Sequence, residues 1–352
     1  MTHPTFLLYG SSGYTGDLIA RLAVKQGLRP ILAGRNRKKI SAQANELGLE
    51  YRIFSLDDPA TIDAGLKDVP VVLHCAGPFS HTSKPMAQAC LRTKTHYLDI
   101  TGEIAVFESL ARRDADAKAA GVMLLPGTGF DVVPSDCLAA HLKRRLPSAT
   151  RLTLAFRGLG GTSRGTATTM IEGIHLGGAI RANGKIIRVP GAWKNRMIDF
   201  GRGEVKTVTI PWGDVSTAFY STEIPNIQVY AVFPSSLVRL MVLSRYIGGL
   251  LGTPLAQSML KRAIQSQPAG PTQEERAKGL SLLWGQAEDD SGKHVTSRMR
   301  TPEGYSLTAL TAVAIAQRVL AGDAPVGFQT PSMAYGADFI LQFDGVVRED
   351  VE

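Results

Sequence analysis

Cysteine is scarce in this sequence, and that scarcity narrows the class of protein. The 352 residues include three cysteines, Cys75, Cys90 and Cys137, which are widely spaced and odd in number. Such spacing supports neither a disulfide framework nor a zinc ribbon. Two histidines separated by three residues are also missing, so no metal site is expected. A reducing, cytoplasmic environment is the simplest interpretation.

The sequence also lacks a long hydrophobic run. Its longest uncharged stretches, residues 224–238 and 246–260, are 15 residues each and are interrupted by proline or glycine. A membrane-spanning helix needs about 18 or more apolar residues, so none is expected. The first residues show no basic region followed by an apolar one, so a secretory leader is not expected either.

The sequence has fewer acidic than basic residues. There are 39 lysines and arginines against 31 aspartates and glutamates, a formal net charge of +8. This surplus is compatible with nucleic acid, a membrane surface or an anionic small ligand, and composition alone does not choose among them. The chain has no dense Lys/Arg stripe with interleaved aromatic residues, so a nucleic-acid partner is not expected.

Alternating strand and helix patterns fill about the first 140 residues. Apolar runs typical of buried parallel strands, such as residues 5–9 and 69–75, are each followed by a helical pattern. The alternation predicts an α/β fold, a Rossmann-like doubly wound parallel sheet over residues 1–147.

The pattern changes after Pro147. Strands are predicted at 151–157, 185–189, 205–211, 215–222 and 226–233, with one helix at 164–176. Residues 148–300 are therefore predicted to form an α+β domain with a largely antiparallel sheet, which serves substrate binding or dimerisation.

A glycine-rich turn follows the first predicted strand and precedes the first helix. It comprises Gly10, Ser11, Ser12, Gly13, Tyr14, Thr15 and Gly16. Glycines allow a tight turn and a close approach to a pyrophosphate, and the N–H groups at the helix start bind phosphates. A plain tight turn is the alternative. The strand–turn–helix context favours a dinucleotide site.

The end of the second strand indicates which dinucleotide. An acidic residue there binds the ribose of NAD, whereas an arginine accommodates the 2′-phosphate of NADP. This chain has Arg35, Asn36, Arg37 and Lys38, and no acid. The alternative is a solvated start of a basic helix. We predict NADP(H), with Arg35 as the phosphate clamp because a guanidinium can bind a phosphate in a bidentate manner.

A second loop of small residues ends the strand at 69–75. It comprises Cys75, Ala76, Gly77 and Pro78. The carboxyl edge of a parallel sheet is where such folds bind ligands, so these residues are predicted to contact the cofactor rather than to form only a turn.

Several motifs together resemble a known family. They are Gly-Ser-Ser-Gly-Tyr-Thr-Gly, Ala-Gly-Arg-Asn, Cys-Ala-Gly-Pro-Phe, His96 to Glu103 (HYLDITGE) and Gly127 to Asp136 (GTGFDVVPSD). In this order they resemble the saccharopine dehydrogenase-like oxidoreductases, a group that includes trans-acting enoyl reductases. The motifs cover about residues 5–140.

The resemblance implies NADP(H)-dependent hydride transfer and adds Gly102 to the cofactor loops. Gly304-Tyr305 and Gly336 to Phe339 also resemble the C-terminal part of the family. From this we expect residues 301–352 to return and pack on the Rossmann domain. The middle of the chain, which forms the substrate pocket in such proteins, resembles the family only in layout, so the substrate stays open.

Hydride transfer to a C=O or C=N group also needs a proton donor. Acidic or phenolic residues at predicted strand ends are Tyr97, Asp99, Glu103 and Asp131, and each could instead serve a structural role. Glu103 and Asp131 are the preferred catalytic candidates, because both lie just past the carboxyl edge of the sheet. No tyrosine has a lysine four residues later, which argues against a short-chain dehydrogenase.

Residues 235–264 are basic and rich in leucine. They predict either helices that cover a domain or a surface that touches a membrane or lipid-like substrate.

Two hypotheses for the function follow from the sequence as a whole. The first is an NADP(H)-dependent oxidoreductase acting on a small-molecule or acyl (enoyl, imine or keto) substrate. The second is a non-catalytic NADP(H)-binding redox sensor or lipid-associated protein. An open second sheet also suggests a homodimer.

Overall fold

The computed structural model describes residues 5–159, 161–266 and 268–351. The chain forms two compact units, and each unit is assembled from two separate segments. The first contains Met1–Val133 and Tyr305–Ala334, and the second contains Pro134–Gly304 and Tyr335–Glu352.

The first unit is built on a parallel sheet of seven strands. The strands are β1 (Phe6–Tyr9), β2 (Ile31–Gly34), β3 (Tyr51–Ile53), β4 (Val71–His74), β5 (His96–Asp99), β6 (Met123–Leu125) and β15 (Gly327–Phe328). Their order is β15-β6-β5-β4-β1-β2-β3, and every pairing is parallel. The order reverses direction at β1, which confirms the predicted doubly wound sheet.

Helices connect these strands. They are α1 (Tyr14–Lys25), α2 (Arg37–Leu47), α3 (Pro59–Leu66), α4 (Phe79–Thr93), α5 (Ile104–Ala111), α6 (Asp114–Ala120), α13 (Gly304–Leu320) and α14 (Pro331–Tyr335). Local sequence fixes several of their ends. The Asn36 side chain accepts the Lys39 N–H at the start of α2, and Gly48 ends that helix with a φ of +64°.

The core of the first unit lies on both faces of the central strands. All residues of β1 and β4 are buried, and Phe6, Leu7 and Leu73 have no exposed surface. Burial on both faces explains why these strands are continuous apolar runs without alternation.

The second unit holds a nine-stranded sheet that is antiparallel at every pairing except β7 with β12. Its strands are β7 (Arg151–Leu159), β8 (Gly178–Ala182), β9 (Lys185–Val189), β10 (Asn195–Asp199), β11 (Glu204–Thr209), β12 (Asn226–Ala231), β13 (Leu280–Glu288), β14 (His294–Pro302) and β16 (Val347–Val351). The predicted mixed α+β character with a largely antiparallel sheet is confirmed.

The remaining helices are α7 (Val133–Arg145), α8 (Arg164–Gly173), α9 (Asp214–Thr222), α10 (Ser235–Leu251), α11 (Pro254–Gln265) and α12 (Gln273–Lys278). Short 3₁₀ helices span Ile174–Leu176 and Phe339–Gln342. None of the helices in the described residues is long and apolar enough to cross a membrane.

The boundaries of the units differ from the predicted divisions at 147 and 300. Helix α7 belongs to the second unit because it packs directly on β13: a Cβ added at Gly285 would lie 2.6 Å from Leu142 Cδ1. Strand β16 pairs with β14 and so joins the same unit, whereas Tyr305–Ala334 joins the first. The role of residues 148–300 in substrate binding or dimerisation stays a prediction.

One predicted strand is wrong. Residues 215–222 form helix α9, although Val, Thr, Phe and Tyr favour strands by propensity. The side chains of Val215, Ser216, Thr217 and Ala218 are completely buried in the second unit. Tertiary burial therefore outweighs local preference here.

Candidate cofactor and active site

The glycine turn lies where β1 ends, against the loop that follows β4. Gly10 has a φ of +82°, and its N–H donates to the Ala33 carbonyl of β2 at 2.8 Å. A Cβ at Gly10 would lie 2.8 Å from the Ala76 nitrogen and 2.9 Å from Ala76 Cβ. Only glycine allows both this backbone conformation and this approach, so the two predicted cofactor loops meet here.

The start of α1 also packs tightly against the glycine turn. A Cβ at Gly16 would overlap the Gly10 carbonyl oxygen and lie 2.8 Å from Ser11 Cα. Gly13 occupies the position before the helix and offers no side chain to cap its first N–H groups. A helix start of this kind behind a close glycine turn fits a pyrophosphate.

The residues of the turn are not equivalent. Ser11 is completely buried, its hydroxyl has no hydrogen-bond partner among the described residues, and its carbonyl accepts from Gln43 Nε2 at 3.0 Å. Ser12 and Gly13 are exposed, while Tyr14 and Thr15 are half-buried. The surface that the turn offers to a ligand is therefore formed by Ser12 to Thr15, and Ser11 supports the turn from inside.

The basic residues after β2 divide into two roles. Arg35 is exposed, and no described residue forms an ion pair with it. Arg37 is likewise exposed at the first position of α2, but the Asn36 side chain is used to cap that helix, accepting the Lys39 N–H at 3.1 Å. Arg35 and Arg37 are thus available to an anionic ligand, whereas Asn36 has a structural role that the sequence pattern alone does not show.

Arg35 lies near the end of β1. Burial raises the pKa of Tyr9 to about 12, and the positive charge of Arg35 acts in the opposite direction. Tyr9 donates to the Phe54 carbonyl at 3.1 Å, so the phenol stays protonated and fixes β1 to the chain after β3.

The loop after β4 combines a half-buried cysteine with small residues that are partly or fully exposed. The Cys75 N–H donates to the Tyr9 carbonyl at 2.8 Å, and burial raises the pKa of the Cys75 thiol far above its ordinary value. This thiol therefore stays neutral and is a poor nucleophile. Gly77 is exposed and Ala76 and Pro78 are half-buried, so the predicted cofactor loop presents small side chains at the sheet edge.

His74 is a packed residue of β4. Its Nε2 lies 3.0 Å from Thr82 Oγ1, and burial lowers the pKa of the imidazole to about 3. Thr82 in turn donates to the Ala76 carbonyl at 2.7 Å. The neutral histidine thus orders the cofactor loop through Thr82 and is not a general base.

Asp99 ends β5 and joins two loops of the site. Its carboxylate accepts from the Tyr97 hydroxyl at 2.7 Å and from the N–H groups of Thr101 and Gly127, each at 2.9 Å. Burial raises the pKa of Asp99 to about 6, against these three donors, which lower it. Asp99 and Tyr97 are therefore structural, since their polar atoms are engaged inside the protein.

Glu103, one of the two predicted catalytic residues, caps a helix. Its Oε1 accepts the Phe79 N–H at 2.7 Å, and its Oε2 accepts the Ser80 N–H at 2.9 Å. These are the first N–H groups of α4, where Pro78 supplies no side-chain cap. A carboxylate at this end also interacts favourably with the helix dipole. Both oxygens are occupied, so the geometry shows a positioning role for the loop Pro78–Phe79.

Asp131, the other predicted catalytic residue, has a different environment. No described residue donates a hydrogen bond to its carboxylate, which lies against Gly102: a Cβ there would be 2.8 Å from Asp131 Oδ2. Loss of hydration raises the pKa of Asp131 to about 7. The side chain is half-buried, so it is enclosed and still reachable from solvent. Gly102 serves by leaving space for this carboxyl group.

Helix α13, which lies in the segment predicted to return to the Rossmann domain, completes this edge of the first unit. The Phe130 N–H donates to Thr308 Oγ1 at 2.9 Å, and Thr311 Oγ1 donates to the Thr128 carbonyl at 2.7 Å. The rings of Tyr305 and Tyr14 meet edge to face, with centroids 5.2 Å apart. Residues about 180 positions apart in the chain thus hold the loop that carries Asp131.

Comparison with known proteins identifies the class. Residues 6–125 match the family model of the saccharopine dehydrogenase NADP-binding domain. This part of the chain is similar to that family, which confirms the predicted resemblance, and the matched domain is one that binds NADP. The match covers β1 through β6, and with them the glycine turn, Arg35, the loop after β4 and Glu103.

Individual relatives agree with this assignment. The chain is 34% identical over 148 residues to a trans-acting enoyl reductase of Mycobacterium leprae, covering 40% of this chain and 35% of the relative. It is 26% identical over 160 residues to the bovine saccharopine dehydrogenase-like oxidoreductase, covering 40% and 37% of the two chains. The matched region is therefore little more than a third of the length of these relatives.

A solved structure shares the fold over the whole chain. The apo form of saccharopine dehydrogenase (L-Glu forming) from Saccharomyces cerevisiae has a TM-score of 0.67 at 15% identity, and the match covers 99% of this chain and 100% of that one. At this identity the likeness concerns the fold alone. It extends to the second unit, for which the sequence motifs gave no family assignment.

Proposed function

We propose that the protein is an NADP(H)-dependent oxidoreductase that transfers hydride to or from a small-molecule or acyl substrate with an enoyl, imine or keto group. The observation that carries the proposal is Asp131: a carboxyl without hydrogen-bond partners among the described residues, with a pKa of about 7, just past the residues 6–125 that match the NADP-binding domain. The enoyl reductase and saccharopine dehydrogenase-like relatives support the reaction class.

The chain's own residues divide the work of binding. Ser12 to Thr15 and the start of α1, where Gly13 has no capping side chain, would hold the pyrophosphate through backbone N–H groups. Arg35, with Arg37 beside it, would bind the 2′-phosphate. The small residues Ala76 to Pro78 would leave room for the ribose. When bound, the nicotinamide supplies or accepts the hydride.

Asp131 would hold the proton that accompanies hydride transfer. A general acid works best when its pKa is close to the working pH, because both protonation states are then accessible. The pKa of about 7 meets this condition, whereas Glu103 uses both oxygens to cap α4. Asp131 is therefore the preferred proton donor, and Glu103 is proposed to position the loop that precedes α4.

Cofactor choice is tested with Arg35→Ala. Losing hydrogen bonds to a charged phosphate costs about 1.5–3 kcal/mol, so the Kd for NADPH should rise by about 10- to 100-fold while the Kd for NADH stays constant. Isothermal titration calorimetry measures both, and Arg202→Ala, an exposed arginine of the second unit, is the matched control. An equal loss for both dinucleotides would contradict the assignment of Arg35.

Catalysis is tested with NADPH oxidation against a panel of enoyl, imine and keto substrates. Asp131→Asn should lower kcat by about 100-fold or more and leave the Kd for NADPH unchanged. A protein that binds NADPH tightly but oxidises it with none of these substrates would instead support the second hypothesis, a non-catalytic NADP(H)-binding redox sensor.

The cellular location and the oligomeric state are also proposals. Cys75, Cys90 and Cys137 are free thiols, which supports a reducing, cytoplasmic location. The predicted homodimer is proposed on the open sheet of the second unit, and mass photometry at micromolar concentration tests it, since a monomer there would count against it.

A further inference from the structure

Helix α10 leaves an apolar row uncovered. Leu243, Tyr246 and Leu250 follow one another at intervals of three and four residues and therefore share one face of the helix. Tyr246 is 81% exposed and Leu250 is 67% exposed. Leucines and tyrosines in such numbers normally pack inside a protein, so a continuous exposed row points to a partner.

The opposite face of α10 is the one that packs against the second unit. Ser244 is buried, and the Arg245 guanidinium donates to the carbonyls of Gly191 and Ala192 at 2.8 Å and 2.7 Å. The helix is thus anchored through this side, where Leu237, Met241 and Leu251 are also half-buried. Leu243, Tyr246 and Leu250 face outward, so the helix is apolar on both sides rather than on its packed side alone.

Helix α11 repeats the arrangement. Leu255 is 74% exposed and Met259 is 63% exposed, and they lie one turn apart on the same face. Arg262 follows Met259 by three residues on that face and is also exposed. Both consecutive helices therefore carry exposed apolar side chains with an arginine at the edge.

All charged residues of α10 and α11 are positive. Residues 235–264, here named the basic apolar segment, contain four lysines and arginines and no aspartate or glutamate. Lys261 pairs with Glu172, and Arg245 is bound to backbone carbonyls. Arg239 and Arg262 form no ion pair with any described residue. Two cations thus remain available beside the exposed apolar rows.

We propose that the basic apolar segment binds the surface of a membrane that contains anionic lipids. Leucine, tyrosine and methionine would enter the boundary between headgroups and acyl chains, while Arg239 and Arg262 would meet the lipid phosphates. A second copy of the chain is a poorer occupant, because a two-fold axis would bring the same acid-free cationic surface against itself. The binding is peripheral, and it does not depend on the proposed oxidoreductase activity.

The experiment is co-sedimentation of the full chain with vesicles. Phosphatidylcholine vesicles are compared with vesicles that also contain phosphatidylglycerol, at two salt concentrations. The wild-type protein should bind the anionic vesicles, and the bound fraction should fall with salt and on omission of phosphatidylglycerol.

Two double variants separate the apolar and ionic contributions. Tyr246→Ser with Leu250→Ser should lower the partition coefficient at least about tenfold. Arg239→Gln with Arg262→Gln should lower it by about 25-fold, about fivefold for each charge. The control is Met197→Ser with Met333→Ser, which removes two exposed methionines elsewhere and should bind as the wild type does.

The proposal is overturned by any of three results. In the first, the wild-type protein stays in solution with anionic vesicles, and in the second, both double variants bind like the control. In the third, sedimentation velocity shows a dimer that Tyr246→Ser with Leu250→Ser dissociates, which would make the segment a protein interface. Unchanged circular dichroism spectra and NADPH affinities show that each variant is folded, so loss of vesicle binding is not confused with unfolding or with failure of the cofactor site.

Discussion

Asp131 makes the stability of the first unit depend on pH in a direction that is unusual for an aspartate. Its pKa is raised from 3.8 to about 7 in the folded protein by loss of hydration. Between these values the unfolded chain has released the proton and the folded protein still holds it. Stability therefore falls as the pH rises from about 4 to about 7 and is constant above. Asp131→Asn removes this dependence.

The magnitude follows from the pKa values. One pKa unit corresponds to about 1.4 kcal/mol. Between pH 5 and pH 8 the pH passes from two units below the pKa of Asp131 in the folded protein to above it. The free energy of unfolding of the wild-type protein should therefore fall by ~3 kcal/mol through Asp131. The variant with asparagine should not lose this amount. Asp99, whose pKa burial raises to about 6, contributes equally to both proteins and cancels in their difference.

The assay is urea unfolding at pH 5 and pH 8 for both proteins. Trp193, Trp212 and Trp284 all lie in the second unit, so tryptophan fluorescence would not follow the first. Far-ultraviolet circular dichroism, which detects the helices of both units, is the suitable probe. The difference in unfolding free energy between variant and wild type should change by ~3 kcal/mol between the two pH values.

The control is Asp344→Asn, which removes an exposed carboxylate of the second unit. Its difference from the wild type should be the same at both pH values. If Asp131→Asn behaves in the same way, the carboxyl of Asp131 is hydrated in solution, and its assignment as a proton donor with a pKa near neutrality is refuted.

Three further predictions concern other parts of the protein. Gly16→Ala should abolish NADPH binding and lower the Tm, because the methyl group would overlap the Gly10 carbonyl; Gly173→Ala, with nothing within 4 Å of the added Cβ, is the control for calorimetry. Glu103→Gln should destabilise the protein by about 1 kcal/mol in urea and retain turnover, and lost turnover at unchanged stability would make Glu103 catalytic. Asp338, whose pKa its two arginine partners lower, should contribute stability that is lost in wild-type protein as the pH falls below about 4, whereas Asp338→Asn should show no such loss by thermal denaturation.

The dinucleotide fold could be predicted because its determinants are local. Residues 69–75 form an apolar run without alternation, as expected for a strand buried on both faces, and β4 occupies Val71–His74 within it. The glycine turn and Arg35 follow strands directly, so their position at the sheet edge follows from chain order. The parts of the site that lie within a few residues of a strand end were accessible to sequence reasoning.

Other parts depend on contacts between distant residues. Glu103 caps a helix that begins 24 positions earlier in the chain, and no local pattern distinguishes such a cap from a catalytic acid. Thr308 holds the Phe130 N–H across 178 positions. Residues 215–222 form a helix in which Val215 to Ala218 are completely buried in the second unit, and local propensity does not report such burial. Tertiary burial and long-range hydrogen bonds decided these three cases.

The interleaving of the two units has a consequence for how the chain is made. The first unit is interrupted after Val133, and its α13 and β15 are translated only after residues 134–304 have emerged. The second unit likewise waits for β16, its partner for β14. Leu307 and Ile315 of α13 are fully buried, so their absence leaves an open core. The first unit is completed during synthesis only with residues 305–334 and the second only with β16, so a truncation at residue 304 would damage both units rather than shorten one.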